Sequence, residues 1–399
     1  MKIAIYGISC AGKNTFISEV IKRFPDFTHI KGSTRLNEIS QKSYGCTFRK
    51  IDFQKQKKVR EQFISELKNS DNIIVDGHYC FPENESYRIA FTESDSELYD
   101  IFIYLRALPA VVKERISLSE KNACYTSLSE KDIENWQLKE ISEMRDVCFK
   151  KEKEFIILDD DFEEDLAFLS EYFKTYPKMN AIKTAERIVE KICKTNPDNR
   201  KIALFDCDRT IIEEDTTIPF FELNNGSNKL LKQIFYGDVY TVYQFWRQQK
   251  LYKDFSNFPR IENFNKNPQI INKLDELKNE GYSIYGLTAG IYKIWNDIND
   301  RDRLFVEVLG NNLREDSFGI ITDFVKGYTV KLLQNKGYVV FSTGDSMCDI
   351  YMVETCGGFI WAPGKLRPVI QQYINEHKQT SIKQYKNNPI KYEGIGEAD

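Results

Sequence analysis

The chain has 399 residues, 41% of them hydrophobic and 29% charged, which is the composition of a globular protein with one large domain or two smaller ones. Its 56 basic and 60 acidic residues give a net charge of −4, which argues against a strong electrostatic footprint for nucleic acid. Nine scattered cysteines without a CxxC pair, together with only three histidines, argue against a disulfide framework and a zinc site. We see no signal peptide and no apolar run of the roughly 20 residues that a membrane span needs, so we expect a cytoplasmic protein without a membrane partner.

The N-terminal part alternates short apolar runs with charge-rich helical segments. We expect strands at 2–8, 73–75, 101–105 and 155–158. The intervening helices include 14–24, 55–68 and 131–150. Strands that alternate with helices indicate a parallel sheet covered on both faces.

A second segment of the same kind follows a proline-interrupted stretch at about 176–178. We therefore expect one domain over 1–176 and another over 177–399. In the second domain we expect a helix at 179–195 and strands at 201–205, 283–287 and 338–342. Residues 213–278 are helical and aromatic and are expected to form a cap, and the last two dozen residues are expected to form a loose polar tail. The predicted fold class is α/β, with two doubly wound parallel-sheet domains, the second of which carries a helical cap.

The first expected strand leads into a phosphate-binding loop. Residues 7–15 read GISCAGKNT and fit the pattern G-x-x-x-x-G-K between a strand and a helix. The glycines Gly7 and Gly12 let backbone N–H groups wrap phosphates closely, and Lys13 adds charge at the β- and γ-phosphates. Asn14 stands where Ser or Thr is usual and Thr15 follows it, so which of the two reaches Mg²⁺ is open. The loop predicts binding of ATP.

Two further features favour a kinase. Asp76 ends the apolar strand in NIIVDGHY, where a carboxylate can hold the Mg²⁺ shell or orient an acceptor hydroxyl. Arg115 lies in IFIYLRALPAVVKERI and is a candidate to neutralise charge on the transferring phosphoryl group, ahead of Arg145.

Residues 1 to about 175 resemble the adenylate-kinase-like family of P-loop nucleotide and small-molecule kinases. The resemblance rests on GISCAGKNT, HIKGSTRL, VDGHY and YLRALPAVVKERI. In that family the segment corresponding to HIKGSTRL lies near the acceptor substrate. The resemblance therefore implies Ser33 and Arg35 as acceptor-site residues, and it leaves the acceptor unidentified.

A pair of carboxylates begins the second domain. In IALFDCDRTII a strand delivers Asp206 and Asp208, two residues apart. This spacing suits a division of labour in which Asp206 attacks phosphorus and Asp208 protonates the leaving group and later activates water.

Three companion motifs follow in order. Thr288 in GLTAG can donate a hydrogen bond to a phosphoryl oxygen, and Lys326 in VKGYTVKLL can neutralise charge, with Lys331 as the alternative. In YVVFSTGDSMCD, Asp345 can complete a Mg²⁺ site with Asp206 and the backbone carbonyl of Asp208.

This four-part order resembles the haloacid-dehalogenase (HAD) superfamily of phosphatases over roughly 200–365, and within it the phosphoserine-phosphatase-like branch with a helical cap. That branch binds substrate through an acidic residue soon after the nucleophile and through an arginine of the cap. The resemblance therefore implies Asp215, in the run 213–215, and Arg247 as substrate-binding residues. Arg209 and Cys348 depart from the family pattern, in which a small residue and Asn are common.

The favoured interpretation is a bifunctional enzyme. An ATP-dependent kinase of a small acceptor, a nucleotide or nucleoside, would be joined to a Mg²⁺-dependent phosphomonoesterase that forms an aspartyl-phosphate. One alternative is a polynucleotide 5′-kinase and 3′-phosphatase for end repair, against which stand the net charge and the large cap. Another alternative is a phosphatase gated by a nucleotide-sensing P-loop domain. The oligomeric state does not follow from the sequence.

Overall fold

The computed structural model describes residues 1–83, 86–159, 161–236, 240–260, 262, 264–311, 319–363, 365–377 and 383–386. It divides into two compact units, Met1–Phe173 and Lys174–Asp399. The expected junction at 176/177 lies inside a helix, Phe162–Met179, in which Thr175 departs from helical dihedral angles. Among the described residues, none of the helices combines the length and the apolar character needed to span a membrane.

The N-terminal unit contains a five-stranded parallel sheet in the order β2-β3-β1-β6-β7 and a separate antiparallel hairpin, β4–β5. The strands are β1 (Lys2–Tyr6), β2 (Thr28–Ile30), β3 (Ile73–Asp76), β4 (Cys80–Glu83), β5 (Ser86–Ile89), β6 (Ile101–Leu105) and β7 (Glu154–Leu158). The helices are α1 (Lys13–Arg23), α2 (Gly32–Tyr44), α3 (Phe53–Leu67), α4 (Glu93–Leu98), α5 (Pro109–Ser117), α6 (Glu130–Lys150) and α7 (Phe162–Met179).

The C-terminal unit contains a six-stranded parallel sheet in the order β10-β9-β8-β11-β12-β13. The strands are β8 (Lys201–Phe205), β9 (Ser283–Ile291), β10 (Glu307–Asn311), β11 (Val339–Gly344), β12 (Phe359–Ala362) and β13 (Lys383–Lys386). The helices are α8 (Ala181–Thr195), α9 (Thr217–Leu223), α10 (Asn228–Ile234), α11 (Val242–Tyr252), α12 (Pro268–Asn279), α13 (Tyr292–Asp302), α14 (Asp323–Asn335), α15 (Ile350–Cys356) and α16 (Pro368–Glu376).

In both parallel sheets, the side on which the chain adds new strands changes at a central strand. The chain builds β2 and β3 on one side of β1 and then β6 and β7 on the other, and it does the same with β9–β10 and β11–β13 around β8. Sheets of this kind bind ligands beyond the carboxyl ends of the strands at the reversal. The residues that follow β1 and β8, which are the phosphate loop and Asp206, lie at those two positions. The predicted fold class is confirmed.

Two details of the C-terminal unit differ from the expectations. Helix α12 packs on β9, and its Ile270 and Leu274 share a hydrophobic cluster with Ala203 of β8. It is therefore the crossover helix of the core, and the helical cap consists of α9–α11 rather than all of 213–278. In the expected loose tail, residues 383–386 form β13, which pairs in parallel with β12; 378–382 and 387–399 lie outside the described residues.

Candidate active sites of the two units

Asp206 is held at the end of β8 by groups from two other elements. Its backbone N–H donates to the carbonyl of Thr343 on β11 at 2.9 Å. Lys326, on the first turn of α14, donates from Nζ to Asp206 Oδ1 at 2.7 Å and to Asp349 Oδ1 at 2.6 Å. All three charged side chains are buried. One lysine therefore joins two carboxylates that would otherwise repel each other.

Burial and the neighbouring charges together alter the pKa values of this group. Burial and the neighbouring Asp349 raise the pKa of Asp206 to about 6, although Lys326 opposes the rise. Burial by itself lowers the pKa of Lys326, but Asp206 and Asp349 outweigh it and hold that pKa well above its usual value. Lys326 therefore stays charged and keeps Asp206 available as an anion.

Asp208 is oriented by two hydrogen bonds. Its Oδ1 accepts from the backbone N–H of Thr216 at 2.7 Å, and its Oδ2 accepts from Trp295 Nε1 at 3.2 Å. Burial, with repulsion from Asp215, raises its pKa to about 7. A Cβ at Gly290 would lie 2.2 Å from Asp208 Oδ2, so only glycine fits there. A fixed carboxyl group with this pKa can both give and take a proton near neutral pH.

The carboxylates of Asp206, Asp345 and Asp349 offer oxygen atoms within 4.8 Å of one another. Asp349 is already used, since its Oδ2 accepts from the backbone and hydroxyl groups of Ser346 at 3.0 and 2.8 Å. Burial raises the pKa of Asp345 well above its usual value even though Arg367 lies 2.6 Å from its Oδ2. A hard divalent cation would relieve this crowding of oxygens, so the donor set fits Mg²⁺, with Asp206 and Asp345 as the carboxylate ligands.

A cavity of about 550 Å³ lies over these groups. Thr288 lines it, and its Oγ1 accepts from the backbone N–H of Gly290 at 2.9 Å. Asp215 also lines it and pairs with Arg209 at 3.4 Å. Arg209 adopts φ +57°, a left-handed backbone conformation that favours glycine.

Arg247 is not among the residues that line the cavity. Its guanidinium lies 5.6 Å from the ring centre of Tyr243. The lining residues of α11 are Phe245 and Gln248, which share one helix face because they are three positions apart, whereas Arg247 is rotated off that face. The expectation that Arg247 reaches this cavity is therefore not met.

The aromatic residues of the C-terminal unit are divided between its core and the cavity. Phe220 and Phe221 are buried in the hydrophobic cluster of the unit, and Tyr243 stacks on Trp246 with ring centres 6.1 Å apart. The lining aromatics come instead from the end of α10, the following segment and α11. They are Phe235, Tyr236, Tyr240 and Phe245. Trp295 and Arg367 also escaped sequence reasoning, because neither lies in a motif.

In the N-terminal unit, backbone carbonyls of the phosphate loop accept hydrogen bonds from the lysine of the same loop. Lys13 Nζ donates to the carbonyls of Gly7 at 2.5 Å and Ile8 at 2.9 Å. Burial lowers the pKa of Lys13 to about 8. Gly12 takes φ +97° as the cap of α1, which a side chain would strain. The loop, with Asn14 and Thr15, lines a cavity of about 820 Å³.

Asp76, Arg115 and Ser33 line the same cavity. Asp76 Oδ1 accepts from His29 Nε2 at 3.1 Å and from the backbone N–H of Gly32 at 3.2 Å. Burial would raise the pKa of Asp76, but these hydrogen bonds outweigh it and lower that pKa below its usual value. Arg115 donates to the carbonyl of Cys10 at 3.3 Å and so lies over the loop.

Arg35 does not line this cavity. It is exposed, and it pairs with Glu38 at 2.7 Å and Glu66 at 2.6 Å. The wall of the cavity beyond the loop carries other basic residues, which sequence reasoning missed because the motifs did not include them. They are Arg49, Arg60, Arg88 and Lys121.

Residues 6–134 match the family described as "AAA domain". This match includes the phosphate loop and ends before the C-terminal unit that carries Asp206, Lys326 and Asp349. A comparison with curated proteins found no match.

Three similar solved structures each cover half of this chain or less. A substrate-bound phosphoserine phosphatase complex is 16% identical and covers 44% of this chain and 90% of its own, with a TM-score of 0.34. A HAD family hydrolase from Salmonella enterica serovar Typhi is 16% identical and covers 50% and 75%, with a TM-score of 0.36. Shikimate kinase from Bacteroides thetaiotaomicron is 14% identical and covers 44% and 98%, with a TM-score of 0.31.

Proposed function

We propose that the C-terminal unit is a Mg²⁺-dependent phosphatase that hydrolyses a small phosphomonoester through an aspartyl-phosphate, and that the N-terminal unit is an ATP-dependent kinase of a small acceptor, a nucleotide or nucleoside. The observation that carries the proposal is the buried contact of Lys326 with Asp206 and Asp349 beneath a cavity of about 550 Å³. An ion pair that served only to stabilise the fold would not require a second oriented carboxyl group, such as Asp208, beside it.

The phosphatase residues support a two-step displacement. A carboxylate oxygen of Asp206 attacks phosphorus, the bond to the leaving oxygen breaks, and Asp208 gives that oxygen its proton. Asp208 then takes a proton from water, which attacks the phosphoaspartate and releases inorganic phosphate and the free Asp206 carboxylate. Lys326 balances charge on Asp206, and Thr288 is placed to donate to a phosphoryl oxygen. Mg²⁺ bound by Asp206 and Asp345 would offset the negative charge of the phosphoryl oxygens.

The kinase residues support phosphoryl transfer from ATP. The Lys13 ammonium can exchange its two carbonyl partners for phosphate oxygens, and Arg115 can offset charge on the transferring group. Asp76, kept ionised by His29 and Gly32, can accept or orient the acceptor hydroxyl. The remaining basic wall of Arg49, Arg60 and Arg88 favours an anionic acceptor, hence a nucleotide over a nucleoside.

Reciprocal variants test both activities at once. Asp206→Asn keeps the shape of the side chain but removes the nucleophile, so phosphatase activity should fall roughly 10⁴-fold or more while kinase activity is unchanged. Lys13→Ala should lower ATP turnover by about 10²-fold or more and leave hydrolysis of an aryl phosphate intact. The measurements are phosphate release in Mg²⁺ or EDTA and transfer from labelled ATP to nucleotides.

Each variant serves as the folding control for the other. Full phosphatase activity in Asp206→Asn or in EDTA would contradict the aspartyl-phosphate route. If Lys13→Ala abolishes both activities in a folded protein, the gated-phosphatase alternative replaces the kinase.

A further inference from the structure

The cap supplies an apolar and aromatic wall to the phosphatase cavity. The catalytic groups come from the ends of β8, β9 and β11 and from α14, whereas this wall comes from α9, α10, α11 and the segment before α11. Its apolar and aromatic members are Ile218, Leu231, Phe235, Tyr236, Tyr240 and Phe245. The part of the substrate that is not phosphate therefore faces rings and aliphatic groups.

Three of these rings form one cluster. Phe235 stacks on Tyr240 with ring centres 5.8 Å apart and planes 29° apart, and it lies 5.2 Å from Phe245. Tyr240 and Phe245 are 6.3 Å apart at 30°. All three rings line the cavity, Phe235 and Tyr240 as half-buried residues and Phe245 as a buried one. Faces of this kind bind planar rings by stacking.

A buried polar atom adds a requirement for a hydrogen-bond donor. Asn228 lines the cavity, and its Nδ2 donates to Glu222 at 2.6 Å. Its Oδ1 is buried and accepts no hydrogen bond from the part of the chain that the structure describes. A buried acceptor is usually satisfied by a partner, so a small turn of the Asn228 side chain that brought this oxygen to an N–H or O–H group of the substrate would be favourable.

Charged groups are few on this side of the cavity. The charged side chains among the described residues that line it there are Asp215, which lies 3.4 Å from Arg209, and Lys232. An amino-acid leaving group would use these two charges and leave the rings without a partner, whereas a leaving group that carries a ring would use the rings.

We propose that the alcohol released by the phosphatase carries a planar ring with a hydrogen-bond donor, so that the substrate is a nucleoside monophosphate, with Phe235, Tyr240 and Phe245 as its specificity residues. This inference rests on the phosphatase function proposed above. The nucleobase stacks on the ring cluster while its phosphate lies at Asp206, and Asn228 accepts from the base or the sugar.

The test compares substrates with and without a ring. For the full-length protein in Mg²⁺, kcat/KM is measured with adenosine 3′- and 5′-monophosphates, phosphoserine and acetyl phosphate. The better adenosine monophosphate should exceed phosphoserine at least ten-fold. Phe245→Leu keeps an apolar side chain but removes the ring, so the ratio of adenosine monophosphate to acetyl phosphate kcat/KM should fall roughly ten-fold, mainly through KM.

The matched control is Phe258→Leu, which removes a ring that packs against Phe220 outside the cavity and should leave the ratio unchanged. A preference for phosphoserine, or an unchanged ratio in Phe245→Leu, would overturn this inference while hydrolysis of acetyl phosphate upholds the phosphatase. Failure to hydrolyse any of the substrates would overturn the proposed function itself.

Discussion

Glu140 is a buried carboxyl group that ties three parts of the N-terminal unit together. It lies on α6, and its Oε1 accepts from the backbone N–H groups of Tyr79 at 3.1 Å and Cys80 at 2.9 Å. Its Oε2 accepts from the hydroxyl of Tyr104 on β6 at 3.0 Å. Burial raises its pKa to about 7, although the hydrogen bonds and Lys13 oppose the rise. The segment that follows Asp76 is therefore fixed to α6 by a group that titrates near neutral pH.

This pKa predicts how the stability of the unit depends on pH. The folded state binds the Glu140 proton more tightly than the unfolded state, whose pKa is about 4.5. The contribution to stability is full below that value and is lost as pH rises through about 7, up to about 3 kcal/mol. Glu140→Gln keeps the acceptor and does not titrate. Its stability relative to wild type should therefore increase from pH 4.5 to 7.5, measured by hydrogen exchange of β1 and β6 amides.

The control for this prediction is Glu134→Gln on the same helix, where the side chain is partly exposed and pairs with Lys131. Because exposed ion pairs contribute little to stability, this substitution should change the pH dependence of stability much less than Glu140→Gln does. Parallel pH profiles for Glu140→Gln and wild type would show that Glu140 is ionised throughout.

At the scale of elements, α14 decides where the Lys326 ammonium lies. The helix packs against α8 and α15, and Lys326 is on its first turn. The side chain of Thr322 caps that turn by accepting from the backbone N–H of Val325 at 3.3 Å. The position of the cation between Asp206 and Asp349 therefore depends on a capped helix end as well as on the ion pairs.

Removing this cap should affect catalysis as well as stability. Thr322→Ala should lower the free energy of unfolding by about 1 kcal/mol and loosen the turn that carries Lys326, so kcat should fall several-fold. Asn180→Ala is the matched control, because the Asn180 side chain caps α8 by accepting from Lys183 N–H at 3.1 Å, away from the cavity. It should cost a similar stability and leave kcat unchanged. Equal kcat values for both variants would show that the Thr322 helix cap does not affect catalysis at Asp206.

How far the sequence predicts these elements depends on where their stabilising contacts come from. Central strands such as β1, β6 and β8 are continuous apolar runs, so they were predictable. The three-residue β2, the polar β13 and the hairpin β4–β5 were not, because each depends on a partner strand rather than on its own pattern. The same holds for the site. Motif residues such as Asp206 and Lys326 were found, whereas Arg367 reaches Asp345 from the start of α16, at a position without a motif.

At the scale of the whole molecule, net charge and cavity size favour small substrates over nucleic-acid strands. The chain has a net charge of −4, and tight strand binding would require a surplus of basic groups along the path of the backbone. The cavity over Asp206 is about 550 Å³ and lies beneath cap helices. A mononucleotide fits such a volume, whereas the second nucleotide of a strand would have to pass the ring cluster of α10 and α11.

A comparison of chain lengths therefore tests the end-repair alternative. We expect an adenosine monophosphate to be hydrolysed with a higher kcat/KM than an oligonucleotide that carries a 3′-phosphate. Between about 50 and 200 mM salt, a protein that contacts several phosphates would lose orders of magnitude in affinity. Here the apparent KM for the mononucleotide should change little over that range, because a single phosphomonoester is held by buried groups. Phosphate release measured with both substrates at both salt concentrations gives the result. Faster hydrolysis of the oligonucleotide, together with a steep loss of activity in high salt, would instead support nucleic-acid end repair.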